Sequence, residues 1–468
     1  MRHFMKNGKT TRPLGIRHLQ AFILFLCLAV NYLMRLNFIS AIKMMTTVVS
    51  TPSDQVVFSW RMFQQSSIIG CFNVGYFIMN LGGSVLVTRF HNKSLLFICV
   101  FGSSIITMVT PVLFISGGFN ILLSIRFLLG LLQGPLLAVI MGQLSRWIPP
   151  SERSMLGSFV FSGIKFGDMI SSGITEWIGD NFGWPSIFYF SGCAGVGLTI
   201  LWAFLAADDP KSCWFISEEE RTYIEEELIF TSEITKHNNI PWRGLLRNKA
   251  CWTLLLTAMG HQWGNWILLN EVPFYFDSIL HLDSTTNVLI AAFSQSILWL
   301  FSLFSSFASD MLIKKEILSV GTCRKLCNTI GQWGPAVALL TLSYTRNQTI
   351  VYIIYTIGVS LLGFVNIGFN INYLDIVPSI AGFFMGITNG CSTISYIAGA
   401  EFARIIVNDL NNKYQWRIVF AVSAGVFFFS NLIFITFGSG EVQSIEDDEL
   451  KNESNSRMPT FSRYSHQC

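Results

Sequence analysis

Residues 20–44 read QAFILFLCLAVNYLMRLNFISAIKM, an apolar run interrupted by Arg35 and Asn37. About 20 apolar residues suffice for a helix to cross a bilayer. Basic residues precede the run, and Ala21 to Val30 alone could pass for the core of a signal peptide. The two polar interruptions argue against that reading, as does the lack of a small-x-small cleavage site after them. The stretch therefore reads as a first membrane span that carries a cation.

Eleven further stretches of similar character follow. The spans are expected at 20–44, 62–87, 94–116, 119–145, 154–178 and 184–206, then at 250–276, 286–310, 323–344, 349–372, 379–405 and 416–438. The 468 residues are 51% hydrophobic and only 13% charged, against about 25% charged in soluble domains. A water-soluble enzyme could not cover its surface with so little charge. The 41 Phe exclude a disordered chain, and the spread of apolar residues excludes a single anchor. The fold expected is all-α, a polytopic membrane protein of twelve transmembrane helices in two six-helix halves. Its parts would be an N-terminal segment 1–19, a bundle 20–206, a linker 207–249, a bundle 250–438 and a tail 439–468.

Orientation follows from Lys and Arg. With a cytoplasmic N-terminus, 22 of the 31 basic residues fall on the cytoplasmic side and six on the other. Counting residues near span ends with the adjoining loops, three remain well inside spans: Arg35, Arg126 and Lys165. Both termini are thus expected in the cytoplasm. In the linker, Ser217 with Glu220 three residues on forms a capping box, so a short helix should start there. Its Tyr223, Ile224 and Leu228 would rest on the bilayer or on the bundle. The tail is polar and acidic from Glu446 to Glu449. An internal echo suggests duplication. Leu144 to Pro150 and Asn372 to Pro378 each end a span at a proline before a Gly-rich helix, 228 residues apart. Two such halves, related by an axis normal to the membrane, would place a substrate between them near the midplane.

The net charge of +3, with no dense basic run, does not suit a nucleic-acid binder. The ten Cys show no zinc spacing, so no metal site or disulfide is expected. No Ser-His-Asp set, His-Glu-x-x-His or phosphate loop occurs in a suitable context, so an enzyme is not expected. A non-transporting sensor would need a signalling domain, and the short tail carries none.

Several ordered fragments carry a family resemblance. Span 1 has Tyr32, Arg35 and Asn37 followed by Ser40-Ala41-Ile42; span 2 has Gly75-Tyr76 and Gly82-Gly83; span 4 has Arg126, Gly130 and Gln133-Gly134. Then come Trp147 with Glu152-Arg153-Ser154, Gly183-Trp184-Pro185, Ser309-Asp310, Arg324-Lys325, Asn372 with Leu374-Asp375 and Pro378, and Gly386 with Asn389-Gly390. In order and spacing the chain resembles solute carrier family 17, the anion–cation symporters of the major facilitator superfamily. That family includes sodium–phosphate cotransporters, sialin and vesicular glutamate transporters. The details are similar to insect proteins named as inorganic phosphate cotransporters, a likeness of name and not of demonstrated substrate. The resemblance implies alternating-access transport of an anion, with Na+ or H+ as the co-transported ion and no bound cofactor. It also implies a multi-pass protein, expected as a monomer, of the plasma membrane or an endolysosomal or vesicular membrane.

An Arg inside a span costs about 2.5–3.5 kcal/mol on insertion scales and usually lines a cavity. Arg35 and Arg126, with no carboxylate nearby in sequence, make the interior electropositive, and guanidinium forks pair with phosphate or carboxylate oxygens. Both are expected to bind substrate, with Tyr32, Asn37 and Gln133 beside them. Gln133 follows Arg126 by seven residues on the same helix face. Proton-coupled relatives have Glu there. Glutamine carries no proton, so Na+ coupling is favoured. Lys165 and Asp168, three apart, are neighbours on one helix face, either a structural pair or a third cavity cation with a Na+-holding carboxylate. His261 stands where vesicular glutamate transporters have Arg and can titrate near neutral pH. Ile69 replaces their span 2 histidine, which argues against glutamate as substrate. Arg89, Glu152, Arg153, Asp310 and Asp375 sit at cytoplasmic helix ends and resemble gate residues that pair across the halves. Asn347-Gln348-Thr349 is a glycosylation sequon close to a helix start.

Overall fold

The computed structural model describes residues 15–46, 60, 62–232, 242–281, 284–345 and 347–443. Most of the expected N-terminal segment and tail, with Arg61, Arg346 and the side chain of Lys43, lie outside the described residues. The first half consists of α1 (Ile16–Thr46), α2 (Met62–Arg89), α3 (Asn92–Gln133), α4 (Leu136–Trp147), α5 (Arg153–Phe182) and α6 (Trp184–Leu205). The linker carries α7 (Glu218–Ser232) and α8 (Trp242–Arg247). The second half consists of α9 (Lys249–Trp266), α10 (Val272–Leu280), α11 (Ser284–Lys314), α12 (Val320–Tyr344), α13 (Gln348–Leu361), α14 (Phe369–Ile376), α15 (Ala381–Ile406) and α16 (Lys413–Phe437).

These elements make twelve passes. α3 holds the third pass and the start of the fourth, separated at Gly118, whose φ of 67° needs a residue without a Cβ. The fourth pass continues into α4 across a break at Gly134-Pro135. The seventh pass joins α9 to α10 through a π turn at Ile267–Glu271, and the tenth joins α13 to α14 through a 3-10 turn at Leu362–Asn366. Seven stretches among the described residues are long and apolar enough to cross a membrane, one of them, Asn92–Trp147, holding two passes. The passes that fall short include α5, with Lys165 and Asp168, and α12, with Arg324 and Lys325. Charged residues lower the hydropathy of α5, and Asn328, Gln332, Gly331, Gly334 and Pro335 that of α12.

The two prolines of the internal echo start the same kind of turn. After α4, Pro150 starts a one-turn 3-10 helix, Pro150–Glu152, that leads into α5. After α14, Pro378 starts the matching turn, Pro378–Ile380, that leads into α15. Within the first half α1 packs on α5 and α6, and α3 on α2 and α6. Within the second, α9 packs on α15 and α16, and α12 on α13 and α16. Across the halves α5 meets α11, and α15 meets α2 and α4.

The linker folds onto one end of the bundle. The backbone N–H of Glu220 donates to the Ser217 hydroxyl oxygen at 3.3 Å, one half of the expected capping box. Its carboxylate does not close the box. It accepts instead from the backbone N–H groups of Ile16 and Arg17 at 2.9 and 3.1 Å, and so caps α1. Asp208 likewise accepts from the backbone N–H of Lys93 at 2.8 Å and caps α3. Carboxylates at helix N-termini satisfy orphan donors and complement the helix dipole. Ile224 is fully buried with Trp147 and Cys213, so α7 rests on protein. Asn248 donates to Gln443, whose N–H bonds the carbonyl of Ile376. Residue 15, the described parts of the linker and residue 443 thus share one face, called here the termini face.

The α2–α3 contact is a backbone contact. A Cβ at Gly130 would lie 2.2 Å from the carbonyl oxygen of Phe72, and one at Gly75 would lie 2.3 Å from that of Phe127. Small residues permit such approach inside membranes. Gly130→Ala is expected to force these helices apart at a cost of about 1–3 kcal/mol, read as a lower melting temperature of the purified protein. An unchanged melting temperature would contradict the contact.

Candidate functional site

Two guanidinium groups meet inside the first half. The end carbon of Arg35 lies 4.6 Å from the ring centre of Tyr76, 4.8 Å from Phe72 and 5.5 Å from Tyr32. That of Arg126 lies 4.5 Å from Phe38 and 4.9 Å from Phe72. Phe72 is therefore shared, and the two like charges are within electrostatic range of each other. Among the described residues neither forms an ion pair. Arg126 is 5% exposed and its Nε has no partner. Aromatic faces attract a guanidinium by about 0.5–2 kcal/mol each but accept no ordinary hydrogen bonds. The site is thus electropositive, with Arg126 Nε an unused donor.

The other residues picked out in the sequence fall at different distances from this pair. Tyr32 is one of the ring walls. Gln133 is buried at the end of α3, with its Nε2 unpartnered. Asn37 turns away and donates to Ser191 of α6 at 2.7 Å. Lys165 and Asp168 form an ion pair at 3.4 Å, each about one-fifth exposed. Asp168 is in electrostatic range of Arg35, and Lys165 of His261 in the second half. His261 lies 5.4 Å from the ring of Phe369 and 6.3 Å from that of Phe427, and its buried Nδ1 has no partner. Charged and titratable groups thus run from Arg126 through Arg35, Asp168 and Lys165 to His261.

At the termini face the halves are tied by charge. Asp375 of α14 takes Arg324 of α12 at 2.7 Å and Arg153 of α5 at 3.5 Å. Arg324 also donates to the Ser154 hydroxyl at 2.8 Å. Asp310 accepts from the backbone N–H of Met155 at 2.7 Å, so α5 is capped from the opposite half. Glu152 differs from its neighbours. It pairs with Arg17 at 2.7 Å inside its own half, and Arg17 also holds Glu220 at 3.0 Å. Arg89 is exposed and forms no ion pair among the described residues. The face is closed by Asp310 and Asp375 with their partners.

Sequence reasoning passed over Phe38, Phe72 and Tyr76 as site residues, and Arg17 and Arg324 as clamps. A signal existed for the rings. An intramembrane Arg with no carboxylate nearby in sequence needs aromatic partners, although Phe38, one helical turn after Arg35, stacks on Arg126 instead. No signal in the sequence paired Arg17 with residues 135 and 203 positions away.

The sequence model described as Major Facilitator Superfamily matches residues 24–400. A Drosophila melanogaster protein named "Putative inorganic phosphate cotransporter" is 33% identical, over 94% of this chain and 88% of its own length. Human sialin is 31% identical, over 83% of this chain and 78% of its own. Among solved structures, a bacterial homologue of the iron transporter ferroportin in an outward-facing state superposes with a TM-score of 0.66 at 14% identity. It covers 91% of this chain and 99% of that one, a likeness of fold.

Asp375→Asn leaves two buried arginines without a counter-charge. Removing one partner of a buried pair costs about 3–5 kcal/mol. Cys323, 1% exposed, contacts Ser309 at 3.0 Å beside this gate. Its alkylation, followed by peptide mass spectrometry, is expected to accelerate at least about tenfold in the variant, a shift that about 1.4 kcal/mol already supports. A wild-type rate would show that Asp375 does not hold the gate.

Proposed function

The chain belongs to the major facilitator superfamily and, within it, to solute carrier family 17; from that premise we propose that it is a secondary active transporter of an anion. The observation that carries the reading is the Arg35–Arg126 pair, held on aromatic rings with no carboxylate partner. An inorganic phosphate or a carboxylate would use the free N–H donors bidentately and relieve the repulsion between the two guanidinium groups. The name of the fly relative favours the same class of substrate. Alternating access follows from the two six-helix halves: the Asp375 and Asp310 ties must break for the termini face to open. The excess of basic residues makes that face cytoplasmic, so the conformer described is closed toward the cytoplasm.

Na+ is the favoured co-ion. Gln133 offers no proton site next to Arg126, and Asp168 gives a carboxylate able to face a cation when Lys165 engages the substrate. A proton-coupled, sialin-like mode is the second reading. It rests on His261, a titratable side chain whose Nδ1 is unpartnered.

Uptake of radiolabelled phosphate, sialate, urate and glutamate into proteoliposomes, under imposed Na+ or pH gradients, separates these readings. A Na+-driven phosphate signal is expected. Uptake that follows the pH gradient alone would replace Na+ with H+, and no uptake of any anion would sink the reading. Arg126→Gln is expected to lower uptake at least about 100-fold, since a lost charge-assisted, bidentate contact is worth about 3 kcal/mol. Gln133→Glu is expected to introduce a pH dependence: below the pKa of the new carboxyl the group is neutral and its proton can be carried with the substrate, above it the charge repels the anion. An unchanged pH profile would contradict the role given to position 133.

A further inference from the structure

α2 has two working faces. Phe72 and Tyr76 stack on each other at 5.8 Å and on Arg35. Asn73, Tyr76 and Asn80 meet α15 of the other half. Asn389 donates to the Tyr76 hydroxyl at 2.9 Å and to the Asn80 Oδ1 at 2.6 Å. Asn80 in turn donates to the backbone carbonyl of Tyr76 at 2.8 Å. Asn73 donates to the Tyr396 hydroxyl at 2.9 Å, and Tyr396 is within electrostatic range of Arg35. Asn80 is fully buried, Tyr76 and Asn73 nearly so.

The direction of these bonds is forced. A backbone carbonyl only accepts, so Asn80 must turn its NH2 to the carbonyl of Tyr76. Its Oδ1 then faces Asn389, which must answer with its own NH2. That NH2 also meets the Tyr76 oxygen, which therefore accepts, and Arg35 beside the ring has only donors to offer. The hydroxyl proton of Tyr76 is used by none of these partners. It is free for an acceptor placed beside Arg35. A hydroxyl that accepts from one partner and donates to another strengthens both bonds.

We propose that Asn80, Asn389 and Tyr76 form a cross-half relay that links anion affinity to closure of the termini face. The relay exists only while α2 and α15 are in contact. In that conformer it aims the Tyr76 proton at the site beside Arg35, and a bound anion polarises the hydroxyl and tightens the bond to Asn389. When α15 leaves, Tyr76 loses its donor and the anion is held less firmly. Affinity is therefore higher while the termini face is closed and lower once it opens, which favours release on the termini side. Asn389 and Asn80 are positioning residues that act through Tyr76. The trigger rests on the anion reading of the site; the relay itself does not.

Two measurements on the full chain test this separately. The first needs no anion: alkylation of Cys323 reports opening of the termini face. Asn389→Leu keeps the side-chain volume without the donor, and Tyr76→Phe keeps the ring without the hydroxyl. Each is expected to raise the alkylation rate about threefold, the shift that one average interhelical hydrogen bond supports. Wild-type rates in both variants overturn the relay. The second is equilibrium binding of inorganic phosphate. Wild type is expected to bind, and phosphate should slow its Cys323 alkylation. Both variants should bind about threefold or more weakly and lose that slowing. Slowing that persists in both variants overturns the link between affinity and closure. If wild type itself does not bind phosphate, the anion reading fails for phosphate and the first measurement still decides the relay.

Discussion

Two guanidinium groups that share the Phe72 ring, neither in an ion pair among the described residues, are the constraint around which the first half is organised. Each carries a full charge into the membrane at a cost of about 2.5–3.5 kcal/mol, and their repulsion adds to it. The rings of Tyr32, Phe38, Phe72 and Tyr76 offset part of that cost. Rings can be brought there only if α1, α2 and α3 pack closely, which the backbone contact at Gly75 and Gly130 permits. Placing a carboxylate in the same position would be simpler and more stable, and would leave nothing for an anion to do. On the proposed reading, the stability forgone is what leaves the site open to an anion.

The opposite solution is used at the termini face. There Arg17, Arg153 and Arg324 are as buried as Arg126, yet each has a carboxylate. The difference separates two roles. Charges that lock a conformer need a partner within the protein, whereas charges that receive a substrate need its absence. The linker joins the locking set through Glu220, which caps α1 and holds Arg17. Since Glu152 completes the same cluster at the start of α5, the first half is braced as a unit at the end where it meets the second. Such bracing suits two halves that rock as bodies.

Much of the fold was legible because its signals are local. A bilayer needs runs of fixed length, and Gly118, Gly134-Pro135 and the two Pro-started turns mark breaks that any reader of the chain can find. The two site arginines were legible for the same reason, since charge inside an apolar run has to be explained. Their ring partners were not singled out, because 41 Phe give no contrast among themselves. Glu152 was misassigned to the inter-half gate for a different reason. Position at a helix end says that a carboxylate is near the gate, but only packing decides whether Arg17 or a residue of the other half reaches it first. The capping box failed by half in the same way: Ser217 acts locally, while Glu220 found stronger donors on α1.

The polar residues of α2 and α15 explain how a site made almost wholly of first-half side chains can govern motion between halves. Arg35 and Arg126 both belong to the first half, so an anion held by them alone would ride with that half and bias neither conformer. A ligand shifts an equilibrium only by its differential affinity for the two states. Some contact must therefore change when the second half moves. His261 and Lys165 offer one by charge, and Tyr76 offers another by hydrogen-bond direction. The second is short-ranged and vanishes as α15 withdraws. A carrier that must bind on one side and release on the other needs a modest term of that kind, because a large one would trap the anion in a single conformer.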